Sequence, residues 1–295
     1  MLAEDSMESI FARTFMIMTW NLVCRATNTC SIHLHHIEWV DDSLCVYFAH
    51  MMNDQGGEGK RDPRHVYANP LNSIVCPVLS LAIYLFVFSI SGTNDSALFP
   101  GTHQYKRFSK YFEMILNKYA SEIEAEFGLD VKDLGVHSLR KGAATYISSG
   151  STCAPPQVAT NIHTGWIMGV IQDTYLRYKT AGDQYVGRVV AGLPICSQKF
   201  GVIPPQIDCQ VEFADQMVSL VFPTIPSGLS CACRFLASSL IYHLQTLKKY
   251  MNTSNPLFLA SFFASPELEN MKKNQSVVSR NADHRRINAV SLNPN

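Results

Sequence analysis

Between Leu71 and Asn94 the chain carries no charged residue, and the stretch from Val78 to Phe88 (Val-Leu-Ser-Leu-Ala-Ile-Tyr-Leu-Phe-Val-Phe) is almost wholly apolar. Such a run has to be hidden from water on every side, in lipid or at the centre of a protein core. A helix that spans a bilayer needs about 20 apolar residues. Pro77 suits a first helical turn, and only about 14 residues then remain before Ser91-Gly92. The expectation is a buried core helix, around which the rest of the chain must pack. A membrane-anchored protein, resting on Val78 to Ile90, is the competing reading.

The remaining composition is consistent with a packed core. Of 295 residues, 47% are hydrophobic and only 16% are charged, where about 25% charged is usual. This excludes a disordered, collagenous or coiled-coil chain. Lys+Arg and Asp+Glu both number 24, so bulk positive charge does not advertise a nucleic-acid binder. Any DNA chemistry must come from a local site. The nine cysteines show no Cys-x-x-Cys pair, and most lie in apolar runs such as Leu44-Cys45-Val46. Reduced, buried thiols in a cytoplasmic or nuclear protein are expected. Glu4, Asp5 and Glu8 without a basic region argue against a secretory signal at the start.

The periodicity predicts a first apolar helix from Ile10 to Cys24, ending near Arg25. Alternating stretches from Ile32 to Val40 and Leu44 to His50, joined by Asp41-Asp42-Ser43, predict a hairpin, and a third short strand follows around His65 to Ala68. Gln104 to Phe127 predicts one amphipathic helix. Its apolar stripe is Phe108, Phe112, Ile115, Tyr119, Ile123 and Phe127, its other face carries Lys106, Arg107, Lys110 and Lys118, and Gly128 is the stop. Further helices are expected from His137 to Ser149, from Pro155-Pro156 to Gly165, and from Val170 to Tyr178. Residues 196–205 read as a linker, and residues 206–295 as a helical extension with an apolar helix from Cys231 to Tyr250 and a disordered tail from Lys272. The overall class is mainly α with a small antiparallel β-hairpin sheet.

Chemistry is concentrated in His137-Ser138-Leu139-Arg140, followed by Gly165-Trp166 and by Tyr175 nine residues after Trp166, with Arg25 far upstream. On a helix, positions i and i+3 share a face, so His137 and Arg140 can converge on one anion. This arrangement resembles the catalytic core of the tyrosine recombinases (the phage-integrase family), and most of all the Crypton-type recombinases of eukaryotic DNA transposons. The likeness covers roughly residues 10 to 195 and extends to Trp20-Asn21-Leu22-Val23-Cys24-Arg25, Asn53-Asp54-Gln55, Asp62-Pro63-Arg64-His65-Val66-Tyr67 and Gly182-Asp183-Gln184-Tyr185-Val186-Gly187-Arg188. It implies a catalytic-domain fold in residues 1–195, nuclear double-stranded DNA as partner, a homo-oligomer on that DNA, and no membrane, metal or cofactor. It also implies roles. Arg25 and Arg140 would clamp the scissile phosphate, whose charge builds during in-line attack. His137 would exchange a proton or hold the phosphate, Trp166 would donate its indole N–H, and Tyr175 would attack to give a 3′-phosphotyrosine. Arg64, Lys106, Lys110, Lys141 and Arg177 are candidate DNA-backbone contacts.

The likeness breaks at one position. The family's hairpin lysine protonates the leaving 5′-oxygen, and here that place is Met52, whose thioether cannot donate a proton. Lys60, or Arg61 beside it, in the Gly-rich loop is the candidate replacement acid. Relatives also carry an N-terminal helical domain that grips the far side of the DNA, whereas only a few residues precede Ile10, so weakened DNA binding is expected. A relative that binds DNA without cutting it is therefore the alternative function. His33, His35, His36 and His50 lack an acidic or thiol partner in pattern, and Cys231-Ala232-Cys233 is too tight for paired ligation, so no metal site is expected.

Overall fold

The computed structural model describes residue 4 and residues 6–48, 62–90, 93–166, 180–206, 211–264, 266 and 268–269. Helix α1 (Met7–Asn21) starts at Ser6, whose side chain accepts the Ser9 amide at 3.1 Å. It is buried almost all round and packs against α3 (Pro77–Phe88), the apolar run that opened the sequence analysis. Among the described residues no helix is long and apolar enough to cross a membrane. A polar clasp crosses this apolar contact. Arg13 donates to Ser80 Oγ at 2.9 Å and to the Ser73 and Ile74 carbonyls at 3.0 Å, and Thr14 donates to the Ser80 carbonyl. Burial lowers the Arg13 pKa to about 10.

Strands β1 (Ile37–Val40), β2 (Ser43–Val46) and β3 (Arg64–Val66) form an antiparallel sheet in that order. The hairpin turns at Asp41, which takes a left-handed φ of 52°. The strands are shorter than their alternation predicts. Residues 32–35 pair instead with 94–98, through Leu34 N–H to Ser96 C=O and Leu98 N–H to Ile32 C=O, before a 3₁₀ turn at Leu34–His36.

The helix predicted over 104–127 is broken at Tyr119 into α4 (Gln104–Lys118) and α5 (Ala120–Phe127). Only Phe108 and Phe112 of its stripe are buried; α5 runs past the edge of the core and leaves Phe127 63% exposed. The basic face is partly neutralised, since Arg107 pairs with Glu8 at 2.7 Å and Lys118 with Glu4 at 2.5 Å.

Then come α6 (Val136–Ser149), α7 (Gln157–Thr164) and α8 (Thr180–Val190), with α2 (Ala26–Cys30) between α1 and the sheet. Val23, Ala143, Ala144, Ile147, Val186, Val189 and Val190 make a small second core where α6 and α8 meet the end of α1. At Gly187 the β3 backbone crosses α8 so closely that a Cβ would overlap the His65 carbonyl oxygen.

The C-terminal helices α9 (Val211–Val221), α10 (Ser230–Tyr242) and α11 (Leu244–Tyr250) dock on the main core. Trp39 of β1 stacks on Phe235 of α10 at 4.0 Å. The segment read as a linker is likewise packed: Arg188 donates to the Phe200 and Val202 carbonyls and to Asp42, and Phe200 and Val202 lie against Tyr67, Ala191 and Leu193. The expected tail from Lys272 and the expected helix from Val170 to Tyr178 lie outside the described residues.

Candidate functional site

Helix α1 ends in a strained reversal. Leu22 caps it, and Val23 adopts a left-handed φ of 45°, a conformation that costs a β-branched residue about 1–3 kcal/mol. Burial of Val23 in the second core offsets that cost. The reversal places Arg25 at the N-cap of α2, extended and exposed. Helix α6 faces it. Leu139, Ala143, Ala144 and Ile147 bury one side, which turns His137, Arg140 and Lys141 toward the surface. Helix α7 stops at Gly165, where φ is 69°, and delivers Trp166 to the same place.

These elements enclose a cleft of about 470 Å³ lined by Arg25, His137, Arg140, Lys141, Ala144, Thr145, Ser148, Ser149 and Trp166. A smaller hollow of about 50 Å³ lies beside it. It shares Arg25 and Arg140 and is walled by Cys24, Asn28, Arg64, His163 and Thr164, among others. Among the described residues, neither lining contains an Asp or Glu. Arg140 is half-buried and donates from Nη2 to the Thr164 carbonyl at 2.8 Å, and its guanidinium lies 5.9 Å from the Trp166 ring centroid. Its buried Nε makes no hydrogen bond among the described residues. Burial, then the positive charge of Arg25, lowers the Arg140 pKa, although at neutral pH the guanidinium keeps its proton. Cations held close together and partly dehydrated are chemically suited to an anion.

Behind Arg140 lies a polar network that connects three distant stretches of chain. Asp183 of α8 takes His163 Nδ1 at 2.6 Å on one oxygen, and the His65 amide and Nδ1 at 2.8 Å on the other. The Arg64 guanidinium stands 3.9 Å away. His163 Nε2 faces the Asn21 carbonyl at 3.3 Å, at the end of α1. Burial alone would raise the Asp183 carboxyl, but the charge and hydrogen bond of His163, with His65 and Arg64, outweigh it and hold the group well below the usual carboxylate range. Burial opposes protonation of His65, yet its bonds to Asp183 and Cys45 push its pKa up to about 9. Because His163 precedes Thr164, this network fixes the carbonyl that holds Arg140.

Of the sequence candidates, Arg25, His137, Arg140, Lys141 and Trp166 therefore meet at one cleft. Arg64, a candidate DNA-backbone contact, lines the inner hollow and not the outer cleft. It is 2% exposed on the wall of the inner hollow, because its strand is covered by α8. Lys106 and Lys110 are exposed on α4 and are not part of the cleft lining. Tyr175, Arg177, Lys60, Arg61 and Met52 lie outside the described residues. Sequence reasoning missed His65, His163 and Asp183 as a unit. One signal was present: Asp183 falls on the same stripe as Val186, Gly187 and Val190, and an acid on an apolar stripe demands a buried partner. Among the described residues no group of three or more His, Cys, Asp or Glu side chains is arranged to hold a metal ion.

No family model, no curated protein and no solved structure matches the chain.

Proposed function

We propose that the chain is a tyrosine-recombinase-like protein of the nucleus that cleaves and rejoins double-stranded DNA through a 3′-phosphotyrosine, acting as a homo-oligomer on its DNA. The observation that carries this reading is the meeting of Arg25, His137, Arg140 and Trp166 at one cleft, whose described lining holds no acid, although 112 positions separate Arg25 from His137. In the mechanism, Arg25 and Arg140 hold the non-bridging oxygens of one phosphodiester. His137 holds the phosphate or accepts the nucleophile's proton, and the Trp166 indole N–H supplies a further donor. Tyr175 attacks phosphorus in line, the bond to the 5′-oxygen breaks, and that oxygen leaves with a proton. The covalent link conserves the bond energy, so religation needs no cofactor.

Met52 supports a second reading, a relative that binds DNA without cutting it, because the position that should deliver the leaving-group proton cannot. One experiment covers both. A nicked suicide duplex should trap wild-type protein on DNA in a denaturing gel, and Tyr175→Phe should abolish the adduct. A substrate whose 5′-oxygen is replaced by sulfur needs no proton to leave. It should speed a Met52-limited enzyme by about 10²-fold or more and help a Met52→Lys variant far less. No adduct with either substrate, alongside retained DNA binding, gives the binding-only relative.

A further inference from the structure

We propose that Cys153 and Cys196 are a reversible dithiol/disulfide pair, a redox-operated clip around the segment that carries Trp166. The two are 43 positions apart and belong to no spacing motif, yet their sulfurs lie 3.3 Å apart and both side chains are exposed. Of the other described cysteines, Cys24, Cys45, Cys76 and Cys233 are buried and Cys30 is half-buried; Cys231 is exposed, but Cys233, two positions along α10, is buried. Cys196 donates its S–H to Cys153, and this contact raises the Cys196 pKa. In this arrangement Cys153 Sγ is the acceptor, and we assign it the attacking role.

The pair is braced on both sides by one residue of α8. The Tyr185 hydroxyl donates to the Cys153 carbonyl at 2.6 Å, and its ring meets Phe200 edge-on at 5.2 Å, just beyond the turn that holds Cys196. That turn is closed by Ser197 N–H to Pro194 C=O at 3.1 Å, and Ile195 anchors it on the second core. A disulfide needs sulfurs about 2.05 Å apart. The sulfurs, 3.3 Å apart on exposed side chains, have about 1 Å left to close.

The co-reactant is a low-molecular-weight disulfide such as oxidised glutathione. The Cys153 thiolate attacks one of its sulfurs, that S–S bond breaks, and a glutathione thiolate leaves and takes up the proton Cys153 lost. Cys196 then loses its proton, its sulfur attacks the Cys153 sulfur, and the second glutathione leaves and is protonated. Two protein thiols are oxidised and one glutathione disulfide is reduced to two thiols. In a reducing compartment such a bond is transient and reports the redox state. Its ring encloses α7, Gly165-Trp166 and α8, and so ties the Arg140 anchor at Thr164 into one covalent loop.

The test equilibrates the full chain in glutathione buffers of rising oxidised fraction, blocks remaining thiols with N-ethylmaleimide, and maps the non-reduced digest by mass spectrometry. The expected product is one cross-linked peptide pair joining Cys153 to Cys196, lost on dithiothreitol treatment, with a melting midpoint about 5 °C above the reduced protein. Cys153→Ser and Cys196→Ser, both at exposed positions, should fold, lose that pair and hold a single glutathione on the surviving cysteine. Separate glutathione adducts on both cysteines of the wild type, pairing of either with a different cysteine, or full alkylation of both at every ratio would overturn the proposal.

Discussion

The molecule holds itself together in two different ways on either side of α1. Under its first turns, α1, α3 and α10 bury Phe11, Phe15, Tyr84 and Leu236 in a continuous apolar mass with one polar clasp at Arg13. At its last turn, the smaller core of α6 and α8 is mostly Ala and Val, and the sheet, α7 and α8 are joined by Asp183, His65 and His163. Apolar burial is non-directional and tolerates adjustment, whereas a buried carboxylate between two imidazoles fixes orientation and fails if one member is removed. The cleft sits on the second kind of scaffold. Stability and site geometry should therefore separate in the first region and be inseparable in the second.

The largest effect expected is on stability alone. Phe15→Ala, in a fully buried aromatic cluster with Phe11, Phe99 and Phe108, should lower unfolding free energy by about 3–5 kcal/mol in urea titrations. Duplex-DNA affinity of the folded fraction should stay within about twofold. A loss above tenfold would erase the distinction between the regions. Asp183→Asn, by contrast, leaves His65 and His163 facing an amide. It should cost about 3–5 kcal/mol and also weaken DNA binding of the folded protein at least tenfold, because the Thr164 carbonyl loses its fixed place. Unchanged affinity would show that the network is scaffold only.

The network also predicts a pH signature. His65 is held at about 9 in the fold, above its unfolded value of about 6.5. Its contribution is complete below pH 6.5 and is lost as pH rises through 9, a fall of about 2–3 kcal/mol at most across that window. Asp183, held low, contributes above about pH 4 and loses that contribution on acidification. Urea midpoints from pH 6 to 9.5 should slope downward in the wild type and flatten in His65→Gln. Equal slopes would remove His65 from the account.

What could be read from the sequence follows from how local each determinant is. The α3 run, the α6 stripe behind His137 and Arg140, and the Gly128 and Gly165 stops depend on neighbours within a few residues, and each was legible. Helix α8 was not, because Gly182 and Gly187 lower helix propensity; Gly187 is there for the crossing of β3, a contact over more than a hundred positions. The Asp183 network spans 118 positions to His65 and 20 to His163, so no periodicity encodes it. The break at Tyr119 and the docking of residues 194–202 likewise depend on tertiary partners. The hydroxyl of Tyr119 bonds Glu4, and Arg188 ties the Pro-flanked segment to α8.

The smallest effect is expected at the margin. Lys106→Ala and Lys110→Ala lie outside the cleft lining, and each should change DNA affinity by no more than about threefold and protein stability by under about 0.5 kcal/mol. A larger loss would extend the contact surface across α4.

The central claim is that Arg25 and Arg140, 115 positions apart in the sequence, serve one phosphate. A double-mutant cycle on duplex-DNA affinity at fixed salt, using Arg25→Ala, Arg140→Ala and the double variant, tests it directly. Hydrogen bonds to a charged group are worth about 1.5–3 kcal/mol, so each single variant should lose about 10- to 100-fold. Because they share a ligand, the double variant should lose little more than the worse single one, a coupling of at least about 1 kcal/mol. Losses that simply add, or no loss in either single variant, would contradict a shared phosphate clamp.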